Sequence, residues 1–453
     1  MNSPGRRPTR IAAGRKQSDF STATNMKPQP PIEARAHRPV DAAPANAQRP
    51  RHNPTRHTMF NRRQWITTVS AMSAANTALT EAVSAADNPA ANVADTASRI
   101  RITRLTATPV GRKVFLKLET NQGVTGWGEI SQLEPTVAAM LARSLFELLD
   151  GENPTRIEYL WQKIYRSHRD IRGGPFMVHT LAGIDMALWD ITGKLWGVPI
   201  YRLLGGPARN KVRVYPSATA TKVGAGPQPF AGTPAEIDRH VKSIEHARKT
   251  VGPDGIVMFD AHCALPPPFL IQLAAAVQPY DVLYLEEPAV PGNIEVFKRL
   301  KQHIAIPFAI GEQARTIWEI LPYLLAGVGD IVQVDCAHTG GISALRKMAT
   351  LAETYFAPLA PHSVTTDLAM SASLHVSASV ALFLIHEYYP SITPKDLMRK
   401  TWSVDKDGYA SLPQGPGLGC EINEARLAEL AKLPIVPEWP TRGRLPDGSI
   451  ADY

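Results

Sequence analysis

The sequence predicts an α/β protein built on a (β/α)-barrel, with a small α+β unit ahead of it. Three observations carry this. Six short apolar runs each close on an acid or a histidine: GIVMFD at Asp260, VLYLE at Glu286, PFAIGE at Glu312, IVQVD at Asp335, APLAPH at His362 and LFLIHE at Glu387. Their ends are 26, 26, 23, 27 and 25 residues apart, and one strand, one helix and two short loops need about 25 residues. Before residue 206 that period is absent. Parallel strands joined by right-handed crossovers bring all their carboxyl ends to one face, where barrel enzymes place their chemistry.

Taken in order, the first 58 residues carry eleven Lys/Arg against three Asp/Glu, which is the whole of the net charge of +8. This stretch is rich in Pro, Arg and Ala and has no apolar period, so it reads as a disordered leader. The remaining chain is charge-balanced, and no nucleic-acid role is expected. Residues 59–86 carry the pair Arg62–Arg63, a mildly apolar stretch and small residues near Ala85 and Ala86. They resemble a twin-arginine export signal, with Met59 as the expected start and the periplasm as the expected destination; the alternative is a cytoplasmic protein. No apolar run is long enough to span a membrane. Three cysteines, Cys263, Cys336 and Cys420, suit neither a disulfide framework nor a CxxC metal site.

Residues 101–106, 113–119 and 124–129 read as strands, with a turn at 121–123. Residues 135–150 and 155–166 read as helices, and 177–196 as one strongly amphipathic helix stopped by Gly197 and Pro199. Tyr215 closes the first barrel strand. Only 45 residues separate it from Asp260, where two β–α periods would take about 50. Residues 217–233 have no helical pattern, 234–250 do, and Lys222–Val223–Gly224 resembles the end of a second strand. The first crossover is therefore expected to be shortened, with its helix deleted.

Three carboxylates on successive strand ends, Asp260, Glu286 and Glu312, would repel one another unless a cation lay between them. Hard oxygen ligands with no Cys or His among them suit Mg²⁺ better than Zn²⁺. His262 follows Asp260 by two residues, so on a continuing strand both side chains would face the same side.

The motifs FDAH (259–262), LEEP (285–288), IGE (310–312), QVD (333–335), TGGI (339–342), LAPH (359–362) and HE (386–387) resemble the mandelate racemase branch of the enolase superfamily, and within it the sugar-acid dehydratases of the galactonate and mannonate type. RGGP (172–175), AGIDMALWDITGK (182–194), LLGG (203–206) and PGLGCEI (416–422) extend the likeness over roughly residues 100–440. The resemblance implies a modified TIM barrel of the enolase type at 206–399, capped by an α+β domain at 100–205 to which 400–453 returns. It implies Asp260, Glu286 and Glu312 as Mg²⁺ ligands and Glu287 as a supporting acid. It also implies an Asp335–His362 dyad with His362 as general base, His262 as general acid, and Glu387, protonated when it acts as donor, bonding to a substrate carboxylate oxygen. A racemase would instead place a Lys at the end of the second barrel strand. The expected reaction is dehydration of an aldonate or uronate to a 2-keto-3-deoxy acid through a metal-stabilised enediolate. The alternatives are a racemase or epimerase of an α-hydroxy acid, or a metal-binding barrel without turnover. A homo-oligomer is expected, with a small acid sugar as its partner and no membrane association. Gln313 departs from an Arg usual after the third ligand, and Ser363–Val364 from a Cys-Pro pair, so the resemblance does not name the substrate.

Overall fold

The structure, a computed structural model, describes residues 99–225, 233–437 and 448. The leader 1–58, the twin-arginine-like segment 59–86 and the end after 437, apart from residue 448, lie outside the described residues.

The first unit is an antiparallel sheet of β1 (Ile102–Val110), β2 (Lys113–Thr120) and β3 (Thr125–Ile130) in that order. β1 runs to Val110, four residues past the predicted end at 106, because its pairing with β2 continues up to the turn, Val110 opposite Lys113. Three helices follow: α1 (Pro135–Leu145), α2 (Ile157–Ser167) and α3 (Pro175–Trp196). α3 was expected to be amphipathic; instead it is buried on nearly every side from Met177 to Gly193. It lies under the sheet on one side, while on the other Asp185 accepts hydrogen bonds from the Ser343 amide (3.0 Å) and hydroxyl (2.6 Å) of a barrel helix. As predicted it stops at Gly197, which takes the left-handed φ of 68° that glycine tolerates.

Asp190 explains why two distant motifs belong together. Its carboxylate accepts from the Trp127 amide of β3 (2.9 Å), the Leu418 amide of the PGLG loop (2.9 Å) and the Lys194 ammonium one turn on (2.6 Å). Gly193 permits the approach: a Cβ there would lie 2.6 Å from the Cα of Gly417. Asp190→Ala would leave two buried amides without acceptors and should cost on the order of 3 kcal/mol. Urea unfolding would measure it, and an unchanged midpoint would show that these bonds add nothing net.

After a short helix, α4 (Ile200–Leu203), the barrel begins with β4 (Lys211–Tyr215). Parallel ladders run in the order β5 (Ala220–Gly224), β6 (Ile256–Asp260), β7 (Val282–Glu286), β8 (Phe308–Ile310) and β9 (Ile331–Val332). Single parallel bridges then link Val332 to Leu359 and Leu359 to Phe383, and β10 (His386–Glu387) pairs in parallel with β4. One inward residue comes from each of the eight positions: Tyr215, Ala220, Met258, Tyr284, Ala309, Ile331, Ala360 and Ile385 form one buried cluster. Their neighbours Val257, Phe259 and Leu285 point outward into a second cluster with the crossover helices, among them α5 (Pro234–Val251) and α6 (Pro267–Ala276). This alternation is what a packed barrel interior requires.

The anomaly read near residue 217 is real and has a structural consequence. β4 and β5 are joined by 216–219 alone, without a helix, and no ladder forms between them. The open edge of β4 takes β12 (Tyr409–Ser411) as an antiparallel partner. The segment after 400 is therefore divided rather than wholly returned to the first unit. β13 (Cys420–Ile422) pairs with β11 (Met398–Lys400), while α11 (Glu424–Leu430) and Val436 reach the first sheet, where Glu424 meets Lys117 at 2.8 Å and the Val436 amide donates to the Gly111 carbonyl at 3.1 Å. All three cysteines are free, and no described helix is long and apolar enough to cross a membrane.

Candidate active site

Asp260 and Glu286 are the last residues of adjacent strands and stand level in the ladder. Glu312 follows β8 by two residues, after Gly311 at φ 124°. Each of the three acids offers an oxygen within 4.8 Å of the others. Asp260 and Glu286 are fully buried, and Glu286 Oε2 has no hydrogen-bond partner.

The sequence reading passed over Lys222, which the structure places among these acids. Its ammonium lies 3.1 Å from Asp260, 2.8 Å from Glu286 and 2.9 Å from Glu387. Burial would lower the pKa of Lys222, but Glu286, Tyr215, Glu387 and Asp260 together hold it well above the usual lysine range. Burial and then the Asp260 charge push Glu286 well above the carboxylate range. Burial also works to raise Asp260, yet the Lys222 charge and the His262 contact hold it well below its ordinary value. The acids thus gather positive charge between them, and the hard-oxygen set with its orphaned buried oxygen fits a divalent ion such as Mg²⁺. A Lys in the alternating run TATKVG was the available signal. On that strand Gly224 pairs with Asp260 and Lys222 with Met258, two residues lower, so the tip, where a racemase lysine was expected, is glycine.

His362 and Asp335 come together. Nδ1 of His362 lies 2.7 Å from Asp335 Oδ2, and Nε2 faces Glu387 at 3.7 Å and Glu312 at 3.8 Å. Both residues follow the last hydrogen-bonded strand positions by about three residues, since β9 ends at Val332; the predicted strands were too long there. Burial would lower the pKa of His362, but Glu312, the Asp335 bond and Glu387 raise it well above the usual imidazole value. Burial likewise works to raise Asp335, but His338 and the His362 bond hold it below the carboxylate range.

His338 is a second residue the sequence reading missed, although Asp-x-x-His in DCAHTGG was visible. Its Nδ1 lies 3.0 Å from the Glu312 carbonyl, and its ring stacks on His179 with centroids 4.5 Å apart. Burial holds both imidazoles below their ordinary pKa, so the pair packs as neutral rings behind His362.

Glu387 accepts from the Ser363 amide at 3.1 Å as well as from Lys222. Burial would raise its pKa, yet Lys222 and His362 lower it. His262 stands beside Asp260, Nε2 to Oδ2 at 2.8 Å, but not because the strand continues. β6 ends at Asp260, and His262 and Cys263 take left-handed φ of 44° and 57°. A turn, pinned by the His262 amide on Asp260 Oδ1 (2.9 Å), aims the ring. Glu287 accepts from the Gln313 amide at 2.6 Å, and burial followed by the Glu312 charge raises it to about 8.

His262, Glu287, Glu312 and His362 border one cavity of about 1000 Å³, whose wall also includes Lys113 from the first sheet and Leu430 from α11. Residues 208–426 match the enolase C-terminal domain-like family, and residues 90–205 match the mandelate racemase / muconate lactonizing enzyme N-terminal domain. The chain belongs to the mandelate racemase branch of the enolase superfamily. The D-galactonate dehydratase of Ralstonia pickettii is 34% identical over 78% of this chain and 100% of the relative. A D-galactonate dehydratase family member from Streptomyces bingchenggensis is 32% identical over 77% of this chain and 96% of its own length. Among solved structures, an enolase from Agrobacterium radiobacter with bound Na and L-malate is 30% identical, covers 78% of this chain and 99% of its own, and has a TM-score of 0.70. The 3,6-anhydro-D-galactonate cycloisomerase of Zobellia galactanivorans shares the fold at 26% identity, with a TM-score of 0.67 over 73% of this chain and 99% of its own. With dehydratases as relatives over more than three quarters of its length, this superfamily member is a hydro-lyase.

Proposed function

We propose that this protein is a Mg²⁺-dependent dehydratase that converts a sugar acid to a 2-keto-3-deoxy acid. The observation that carries the reading is the cluster of three buried or half-buried acids, one of which, Glu312, opens on the same cavity as two histidines from different strand ends. Asp260, Glu286 and Glu312 would hold the ion. Bound there, Mg²⁺ would stabilise the negative charge that develops on the substrate carboxylate and offset the acid charge that raises the pKa of His362.

The remaining steps belong to the chain's own side chains. Asp335 fixes the His362 ring through Nδ1 and leaves Nε2 free to take the proton from C2. His262, on the Asp260 side of the cavity, gives a proton to the hydroxyl leaving C3, so water departs and the enol tautomerises to the keto acid. Lys222 and the Ser363 amide hold Glu387 in place beside the His362 ring. Gly224 at the tip of β5 argues against the racemase alternative, because no second base stands there.

The test is a screen of the purified protein with Mg²⁺ against aldonic, uronic and aldaric acids, read by a colour reaction for 2-keto-3-deoxy products. At least one acid should give product. Incorporation of solvent deuterium at C2 with no loss of water from any acid would favour the racemase reading instead.

A further inference from the structure

One half-buried guanidinium at the cavity wall forms no ion pair among the described residues. Arg315 sits on the loop between Glu312 and helix α8 (Ile317–Leu325), half-buried, and lines the same cavity as His262 and His362. It also stands on the wall shared with a second cavity of about 450 Å³ beyond Glu287. Its Nε is buried without a hydrogen-bond partner, and it enters no ion pair among the described residues.

The acids whose charge it feels are Glu319, Glu287 and Glu312, and each is committed elsewhere. Glu319 accepts from the Arg315 amide (2.8 Å) and the Thr316 hydroxyl (3.2 Å), closing the start of α8. Glu287 accepts from Gln313, and Glu312 belongs to the acid triad. The other cations at the cavity wall differ: Lys113 is spent on the Val364 carbonyl at 2.6 Å, and Arg112 is exposed. A half-buried guanidinium without a carboxylate is unfavourable by itself and matches a planar anion by two parallel hydrogen bonds.

We infer that Arg315 binds a terminal carboxylate at the end of the substrate remote from the reacting one, so that the substrate is a dicarboxylic sugar acid. This rests on the dehydratase reading and departs from the aldonate or uronate that the resemblance implied. The cavity of about 1000 Å³ is large enough for a six-carbon diacid, since pockets of ~300–1000 Å³ enclose ligands of that size and larger.

The experiment compares matched acids that differ only at the far end: an aldarate, the aldonate of the same configuration, and its terminal phosphate ester. The wild type should favour the aldarate in kcat/KM. Arg315→Gln should lower the ratio of aldarate to aldonate kcat/KM at least about tenfold, and Arg315→Lys should keep part of it. Equal losses on both acids, a wild-type preference for the aldonate, or a preference for the phosphate ester would overturn the inference. Binding by calorimetry, with tartrate against threonate, separates this from the reaction itself. If no acid is turned over but tartrate binds at least about tenfold tighter and Arg315→Gln removes that margin, the dehydratase reading fails and the anion site stands. Equal affinities would dismiss the site whatever the turnover.

Discussion

His362→Asn should lose both solvent exchange at C2 and dehydration, each by roughly 10²–10⁴-fold. Nε2 is the free nitrogen of an imidazole whose other nitrogen is bound to Asp335, and it faces the cavity beside Glu312 and Glu387. His338 cannot substitute, because it lies behind the dyad, stacked on His179 and bonded to the Glu312 carbonyl. His262→Asn should behave differently: dehydration is lost and exchange survives, since that ring stands by Asp260 on another strand end and serves only the leaving hydroxyl. Proton NMR in D₂O, following the C2 signal and the product together, reads both. Exchange that survives in His362→Asn and disappears in His262→Asn would reverse the roles and place the base on β6.

Glu286→Gln should abolish turnover and weaken Mg²⁺ binding by at least about 10²-fold, judged from the smaller losses that follow changes even to groups outside the ligand shell. The same change should leave the fold in place. Glu286 is buried, pressed upward in pKa by burial and by Asp260, and a neutral amide there removes repulsion as well as attraction to Lys222. Calorimetry with Mg²⁺ and thermal unfolding test the two halves separately. Full turnover by this variant would remove Glu286 from the ion site, whereas a collapsed melting transition would make its role structural.

By itself the sequence determined the strand-end register of the barrel. The period near 25 residues and the acid or histidine closing each apolar run depend on local alternation and chain length, so Asp260, Glu286, Glu312, Asp335, His362 and Glu387 could be named in advance and are found at one mouth. The missing first crossover was legible for the same reason, since a helix needs a length and an apolar period that 217–233 lack. The tertiary structure decided what depends on distant partners. Lys222 gives no local sign of facing three acids, because its strand alternates like any other and only barrel closure brings Glu387 near it. The lowered pKa of Glu387 followed from that neighbour and from His362, and the aim of His262 from a left-handed turn where strand periodicity had ended. The burial of α3 on nearly every side and the use of β12 to cover β4 were likewise set by what packs against each, which no single stretch of chain encodes.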